Sequence, residues 1–354
     1  LDARGFATAR DELAASFNYS AYDDAISVSA RFLTETQDAA MALLKGSLVA
    51  PSFTDVALNR VRAQVLAGLK SDSKDPDSIV SQRFDALAFG DHPYGSRAEG
   101  TIDSVSALTQ DQIRAAHLGT LVRDRVYASA VGDITAEQLT TLLDSLLSDL
   151  PQSGRPMPSK VAYKLDGGPT VVDFDTPQSV AIFAQRGIER DHPDFFAAYL
   201  VNQILGGGSF ESRLMEEVRE KRGLTYGVSS YLLPKDFSHL YIGRVASAND
   251  RIAEAVAVIR AEWTRMADRG VTQDELRRAK TYLTGSYPLR FDGNGPIANI
   301  MVGMQMQGLP VAYINNRNDK INAVTLQDAN RVARQLLDPA GLHFVVVGRP
   351  EGLE

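Results

Sequence analysis

The sequence predicts an α+β fold built as two homologous domains, the first of them incomplete. Three observations predict it: a spacing that recurs in both halves, alternating apolar segments of strand length, and an amphipathic stretch of helical period behind them. Thr109 opens a helical stretch that leads to Val126–Val131 and Gly132, and Thr325 opens another that leads to Leu342–Val347 and Gly348. In both, 23 residues separate Thr from Gly. Thr54, Leu58, Arg60 and Arg62 likewise match Thr272, Leu276, Arg278 and Lys280. The two pairs are offset by 216 and 218 residues, an agreement in order and spacing that favours duplication over chance resemblance.

In chain order, the first domain takes residues 1–150. Ile26, Val28 and Ala30 alternate as a strand that leads into a helix, and Val126–Val131 reads as the strand that closes the repeat. Residues 151–160, with Pro151, Ser153, Gly154, Pro156 and Pro158, have the composition of a linker. The second domain takes residues 161–354. It opens with a strand over Ser179–Phe183 and a helix over Asp194–Leu205, where Pro193 suits the first turn. After Gly206-Gly207-Gly208, Ser209 is placed as an N-cap for a helix over Phe210–Arg222, with Phe210, Leu214, Met215 and Val218 on one face and Gly223 as the stop. Leu224–Tyr231 alternates as the next strand, and Leu240, Ile242 and Arg244 as another. Ile252, Val256, Ile259, Trp263 and Met266 then mark one face of a helix. Subtracting the offset from Ser179–Leu205 places the counterparts before residue 1, so the first domain is expected to lack its opening strand and helix and to need a cover. The opening Leu1-Asp2-Ala3 carries neither methionine nor signal segment, and is expected not to be the start of the gene product.

Composition narrows the partners. A net charge of −7, with 37 basic residues scattered among 44 acidic ones, offers no basic stripe for nucleic acid. No apolar run approaches the ~18 residues of a spanning helix, so membrane insertion is not expected. The absence of cysteine excludes disulfides and thiolate chemistry.

The string Leu205–Tyr226, containing Gly206-Gly207-Gly208-Ser209-Phe210, Arg213-Leu214-Met215 and Arg219-Glu220-Lys221-Arg222-Gly223-Leu224-Thr225-Tyr226, resembles the C-terminal-domain signature of the M16 (insulinase/pitrilysin-like) zinc metallopeptidases. It is most similar to the M16B branch that includes mitochondrial processing peptidase. Phe17-Asn18 and Gly90–Gly95 extend the resemblance over the rest of the chain. It implies that each domain is a mixed, mostly antiparallel sheet packed against helices. It also implies that Arg219 and Tyr226 are the family's catalytic pair and that Arg219, Tyr226 and Phe210 bind substrate. A hydroxyl and a guanidinium aimed at a peptide carbonyl suit the oxyanion that hydrolysis produces. Without the motif, Arg219 would read as a cation at a helix C-terminus and Tyr226 as an amphipathic strand residue. Arg213, Lys221 and Arg222 read as solvated or interface charges.

Active members of that family carry a His-x-x-Glu-His helix and a later carboxylate as third zinc ligand. Here the five histidines stand at 92, 117, 192, 239 and 343, so none is four residues from another, and Gly68 occupies the third-ligand position within Val65–Leu69. Truncation could remove the histidine helix, but it would not place a glycine at 68. The resemblance therefore implies a non-catalytic subunit that holds no cofactor itself, works on extended peptides, and pairs with a His-x-x-Glu-His subunit that supplies zinc. It implies a bacterial, periplasmic complex, with the cytoplasm as the alternative. Two rival readings are a structural scaffold subunit and a fragment of an active peptidase.

Overall fold

The computed structural model describes residues 1–353, apart from the side chain of Ser209, whose expected capping role lies outside the described residues. By packing, the chain forms two units: residues 1–70, 98–157 and 291–309 make unit 1, and residues 71–97, 158–290 and 310–354 make unit 2. Division by packing thus differs from division by repeat. Residues 71–97 of the first half belong to unit 2, and 291–309 of the second half to unit 1. Among the described residues, no helix is long and apolar enough to cross a membrane.

In unit 1, strands β1 (Ser16–Ala21) and β2 (Ile26–Arg31) form an antiparallel hairpin from Ser16 opposite Arg31 to Ala21 opposite Ile26. Its core gathers Ala15, Phe17, Ala40, Leu44, Leu48 and Leu146 from the hairpin and the helices Gln37–Val49 and Ala136–Leu147. Thr109 caps the helix Gln110–Thr120 through a reciprocal bond with Gln112. The structure corrects the reading of Val126–Val131, which has no strand pairing. Strand-like composition does not suffice where no strand lies alongside. The segment meets the helix Asn294–Met306 instead, the Ser129 hydroxyl donating to the Ala298 carbonyl and the Gln305 side-chain amide donating to the Ala128 carbonyl.

Unit 2 holds a five-stranded mixed sheet of β3 (Pro169–Asp173), β4 (Gln178–Arg186), β5 (Val228–Pro234), β6 (His239–Ala248) and β7 (His343–Gly348), in the order β3-β7-β4-β6-β5. Only β3 and β7 run parallel. The central β4 is buried on both faces, which is why it reads as a continuous apolar run. Ala181 and Phe183 face the helices Phe195–Asn202, Ile252–Arg269 and Leu326–Leu336. Val180, Ile182 and Ala184 face Val80, Phe84 and Phe89, the last three on or at the end of the helix Pro76–Phe89. All five residues of the expected stripe on Ile252–Arg269 are buried, and Trp263 anchors them by donating its indole N–H to Gln185 Oε1 at 2.6 Å. Thr325 caps its helix through Asp328, and Thr272 caps Gln273–Gly285 through Glu275, at the positions the repeat marks.

Other details differ from the expectations. The helix Phe195–Asn202 continues as a π-helical turn over Gln203–Gly207, and Pro193 precedes its cap Asp194 rather than sitting in the first turn. Tyr226 lies in the bend before β5, not in a strand.

Candidate functional site

The motif helix is built from short-range constraints. A 3₁₀ turn covers Ser209–Glu211, and the helix then widens into a π turn over Met215–Glu220, where the N–H of Lys221 reaches the Glu216 carbonyl five residues back. Gly223, with φ +60°, ends it while the N–H groups of Gly223 and Leu224 return to the carbonyls of Arg219 and Val218. Leu214, Met215 and Val218 are buried against the unit 2 core. Upstream, a Cβ on Gly206 would come within 2.3 Å of Ser230 Oγ, so that glycine lets the turn approach β5, and one on Gly207 would come within 2.5 Å of Asn202 Nδ2, so that glycine lets the turn close on the Asn202 side chain.

Phe210 departs from the expected face. Because the 3₁₀ turn precedes the helix proper, its ring points outward and is 63% exposed. The guanidinium of Arg219 lies over that ring, 4.6 Å from its centroid, and its Nη1 is 3.5 Å from Glu220 Oε1. Two of the three expected site residues are thus in direct contact. Tyr226 is 90% exposed, and no hydrogen bond or ring contact among the described residues joins it to Arg219. Its neighbours are fixed: Thr225 Oγ1 donates to the Ala246 carbonyl at 2.6 Å and accepts from the Gly227 N–H, while the Leu224 carbonyl accepts from Ser247. The motif therefore presents a free phenol on a pinned bend and a guanidinium steered by an aromatic face.

Behind this surface lies a charge network that the sequence did not disclose. Arg213 is buried, and bonds both oxygens of Glu275, at 2.6 and 2.8 Å, as well as the Gly270 carbonyl. The reading of Arg213 as a solvated or interface charge is therefore corrected: it is an internal ion-pair residue of unit 2. Its partner lies 62 residues away, and the one local hint was the Thr272-x-x-Glu275 capping signature. Burial pushes the Glu275 carboxyl up, but the bonds from Arg213 and from Thr272 outweigh it and hold the group at about 2. Glu217 accepts from Lys221 and Arg222, which hold its carboxyl below the usual range. Burial raises Glu262, against the pull of Arg265.

The residues present do not fit a zinc site. His92, His117 and His192 bond main-chain groups nearby, His239 faces Glu189 at 3.6 Å, and His343 sits between Thr170 and the Gly167 carbonyl. Gly68 lies exposed on the helix Asp55–Asp72, with nothing within 4 Å of the position a Cβ would take. Among the described residues, no three His, Asp or Glu side chains converge.

Comparison with known proteins supplies the context. Residues 107–283 match the family model described as the peptidase M16 inactive domain. The chain is 26% identical over 357 residues to the non-peptidase homolog YmxG of Helicobacter pylori, covering 98% of this chain and 80% of that protein. It is 29% identical over 289 residues to the uncharacterized zinc protease ML0855 of Mycobacterium leprae; that match takes in 80% of this chain but only 64% of the relative. Among solved structures, a peptidase M16 inactive domain from Pseudomonas fluorescens superposes with a TM-score of 0.90 at 27% identity, over all of this chain and 86% of the other.

Proposed function

The chain belongs to the peptidase M16 inactive-domain family, and from that membership we propose that it is the non-catalytic subunit of a two-subunit M16B zinc peptidase, presenting Arg219 and Tyr226 to peptide bound at a partner's metal site. The observation that supports this most is the outward display of the motif: Arg219 stacked on exposed Phe210, and the Tyr226 hydroxyl free of any internal partner among the described residues.

In this reading the Tyr226 hydroxyl donates to the carbonyl oxygen that gains negative charge as the peptide bond is attacked. Arg219 donates to a neighbouring main-chain carbonyl and stabilises the same charge, while Phe210 limits the rotamers available to the guanidinium. The chain itself contributes binding and electrostatics. On this proposal zinc belongs to a His-x-x-Glu-His subunit and the complex works in the periplasm, which cell fractionation tests. Hydrolysis of a peptide by the reconstituted pair, with wild type and with Arg219 and Tyr226 variants, is the decisive measurement. The name of the Helicobacter relative, a non-peptidase homolog, favours a second reading in which the subunit is a scaffold. Variants of both residues that hydrolyse at the wild-type rate in an intact complex would put that reading first.

A further inference from the structure

Unit 2 contains a cleft of about 490 Å³ between the π turn Gln203–Gly207 and the start of β5, a strand that pairs with β6 alone. Tyr199 and Met215 supply apolar wall, and no Lys, Arg, His, Asp or Glu lines it. Burial, with the charge of Asp85 adding to it, raises the Tyr231 phenol, so this wall stays neutral too. Asn202, only 4% exposed, also lines the cleft. Its Oδ1 accepts from Ser230 Oγ at 2.9 Å, which orients the carboxamide. Its Nδ2 lies against Gly207 and donates to no group among the described residues. The Nδ2 opens on the cleft's solvent rather than being sealed from it, so an apolar occupant would strip its water while an arriving acceptor would replace that water.

We propose that this cleft binds the side-chain carboxamide of an extended peptide, glutamine above all, with its carbonyl accepting from Asn202 Nδ2 and its methylenes lying on Tyr199 and Met215. The inference rests on the reading that this subunit handles peptides. Glutamine fits because it combines an apolar stem with a neutral acceptor. Leucine fills the walls but leaves Nδ2 without a partner. Glutamate brings a charge that no cation in the cleft compensates, and lysine brings a donor to a donor.

The test measures fluorescence anisotropy of the purified chain with labelled nine-residue Ala/Thr peptides whose central residue is Gln, Leu, Glu or Lys. Wild type is expected to bind the Gln peptide roughly tenfold more tightly than the other three. Asn202→Leu should erase that preference while retaining the Leu peptide. Asn202→Asp, which keeps an acceptor for Ser230 but replaces the free donor with a carboxylate oxygen, should move the preference to Lys. Equal affinities in wild type, or a Gln preference that survives both variants, would overturn the proposal, as would no binding of any peptide. Arg219→Ala should weaken all four peptides without changing their order. A Gln preference alongside wild-type hydrolysis by Arg219 and Tyr226 variants would sustain the cleft and remove the catalytic reading, so the two fail separately.

Discussion

The guanidinium of Arg219 rests 4.6 Å from the centroid of the Phe210 ring, nine residues earlier in the same motif. An exposed arginine normally samples many rotamers, and a ring beneath it costs little to leave, on the order of 0.5–1 kcal/mol. The stacking therefore biases aim more than stability.

The first prediction concerns the reacting groups. In the reconstituted pair, Tyr226→Phe should lower kcat by roughly 10- to 1,000-fold, the range for one lost oxyanion donor. Arg219→Ala should also raise KM, and Phe210→Ala should produce a milder form of the Arg219 defect. Size-exclusion chromatography should show the complex intact in all three. A Tyr226→Phe enzyme with unchanged kcat would remove the phenol from the chemistry.

Metal content is the second. The purified chain, dialysed and analysed by mass spectrometry, should hold well under one zinc per chain, because its histidines are engaged separately and Gly68 offers no ligand. One tightly held zinc would overturn the non-catalytic assignment.

The Arg213–Glu275 pair gives the third. Arg213→Met leaves the partly buried Glu275 carboxylate with its Thr272 bonds alone and should cost about 2–3 kcal/mol of unfolding free energy in urea titration. Arg213→Met with Glu275→Gln should recover much of it, since glutamine retains the capping geometry at Thr272. The pH dependence follows from the direction of the shift. Glu275 ionises more readily folded than unfolded, so its contribution is complete above the ordinary carboxylate range, near pH 4.5, and is lost as pH falls toward about 2. A wild-type loss on the order of 1–3 kcal/mol over that window, screened by the partial solvent exposure of Glu275 and absent from the double variant, is the expected result. Parallel acid titrations of the two proteins would contradict it.

Hydrogen exchange provides the fourth. The amides of Phe344–Val347 lie in a paired, buried strand, whereas those of Val126–Val131 have no ladder. Val126 and Tyr127 are 40% and 50% exposed, against 0% and 7% for Leu342 and His343 at the matching positions. The first segment should exchange roughly 10- to 1,000-fold faster than the second. Equal protection would show that Val126–Val131 has a strand partner in solution.

These comparisons also show what a sequence can disclose. The helix Ile252–Arg269 and strand β4 were legible because burial imposes its period on the residues that pack there. Val126–Val131 has the composition of a strand, but pairing depends on neighbours far along the chain, and composition carries no record of them. Phe210 continues the spacing of Leu214 and Val218, yet one tighter turn rotates it outward. Tyr226 was identified by its motif while its strand was misplaced. Arg213 and Asn202 were hidden for a common reason: the significance of each lies in a partner, or a missing partner, that local patterning does not encode.

The exchange of residues 71–97 and 291–309 between the two packing units has a consequence for biosynthesis. A chain whose units occupied separate halves could finish the first before translating the second. Here unit 1 remains short of the helix Asn294–Met306 until about 150 more residues have followed its own segment 98–157 out of the ribosome. At 5–20 residues per second that delay is roughly 8–30 s. During it, the nascent first half carries the apolar face of Pro76–Phe89 without the sheet that will cover it, a surface suited to a holdase chaperone.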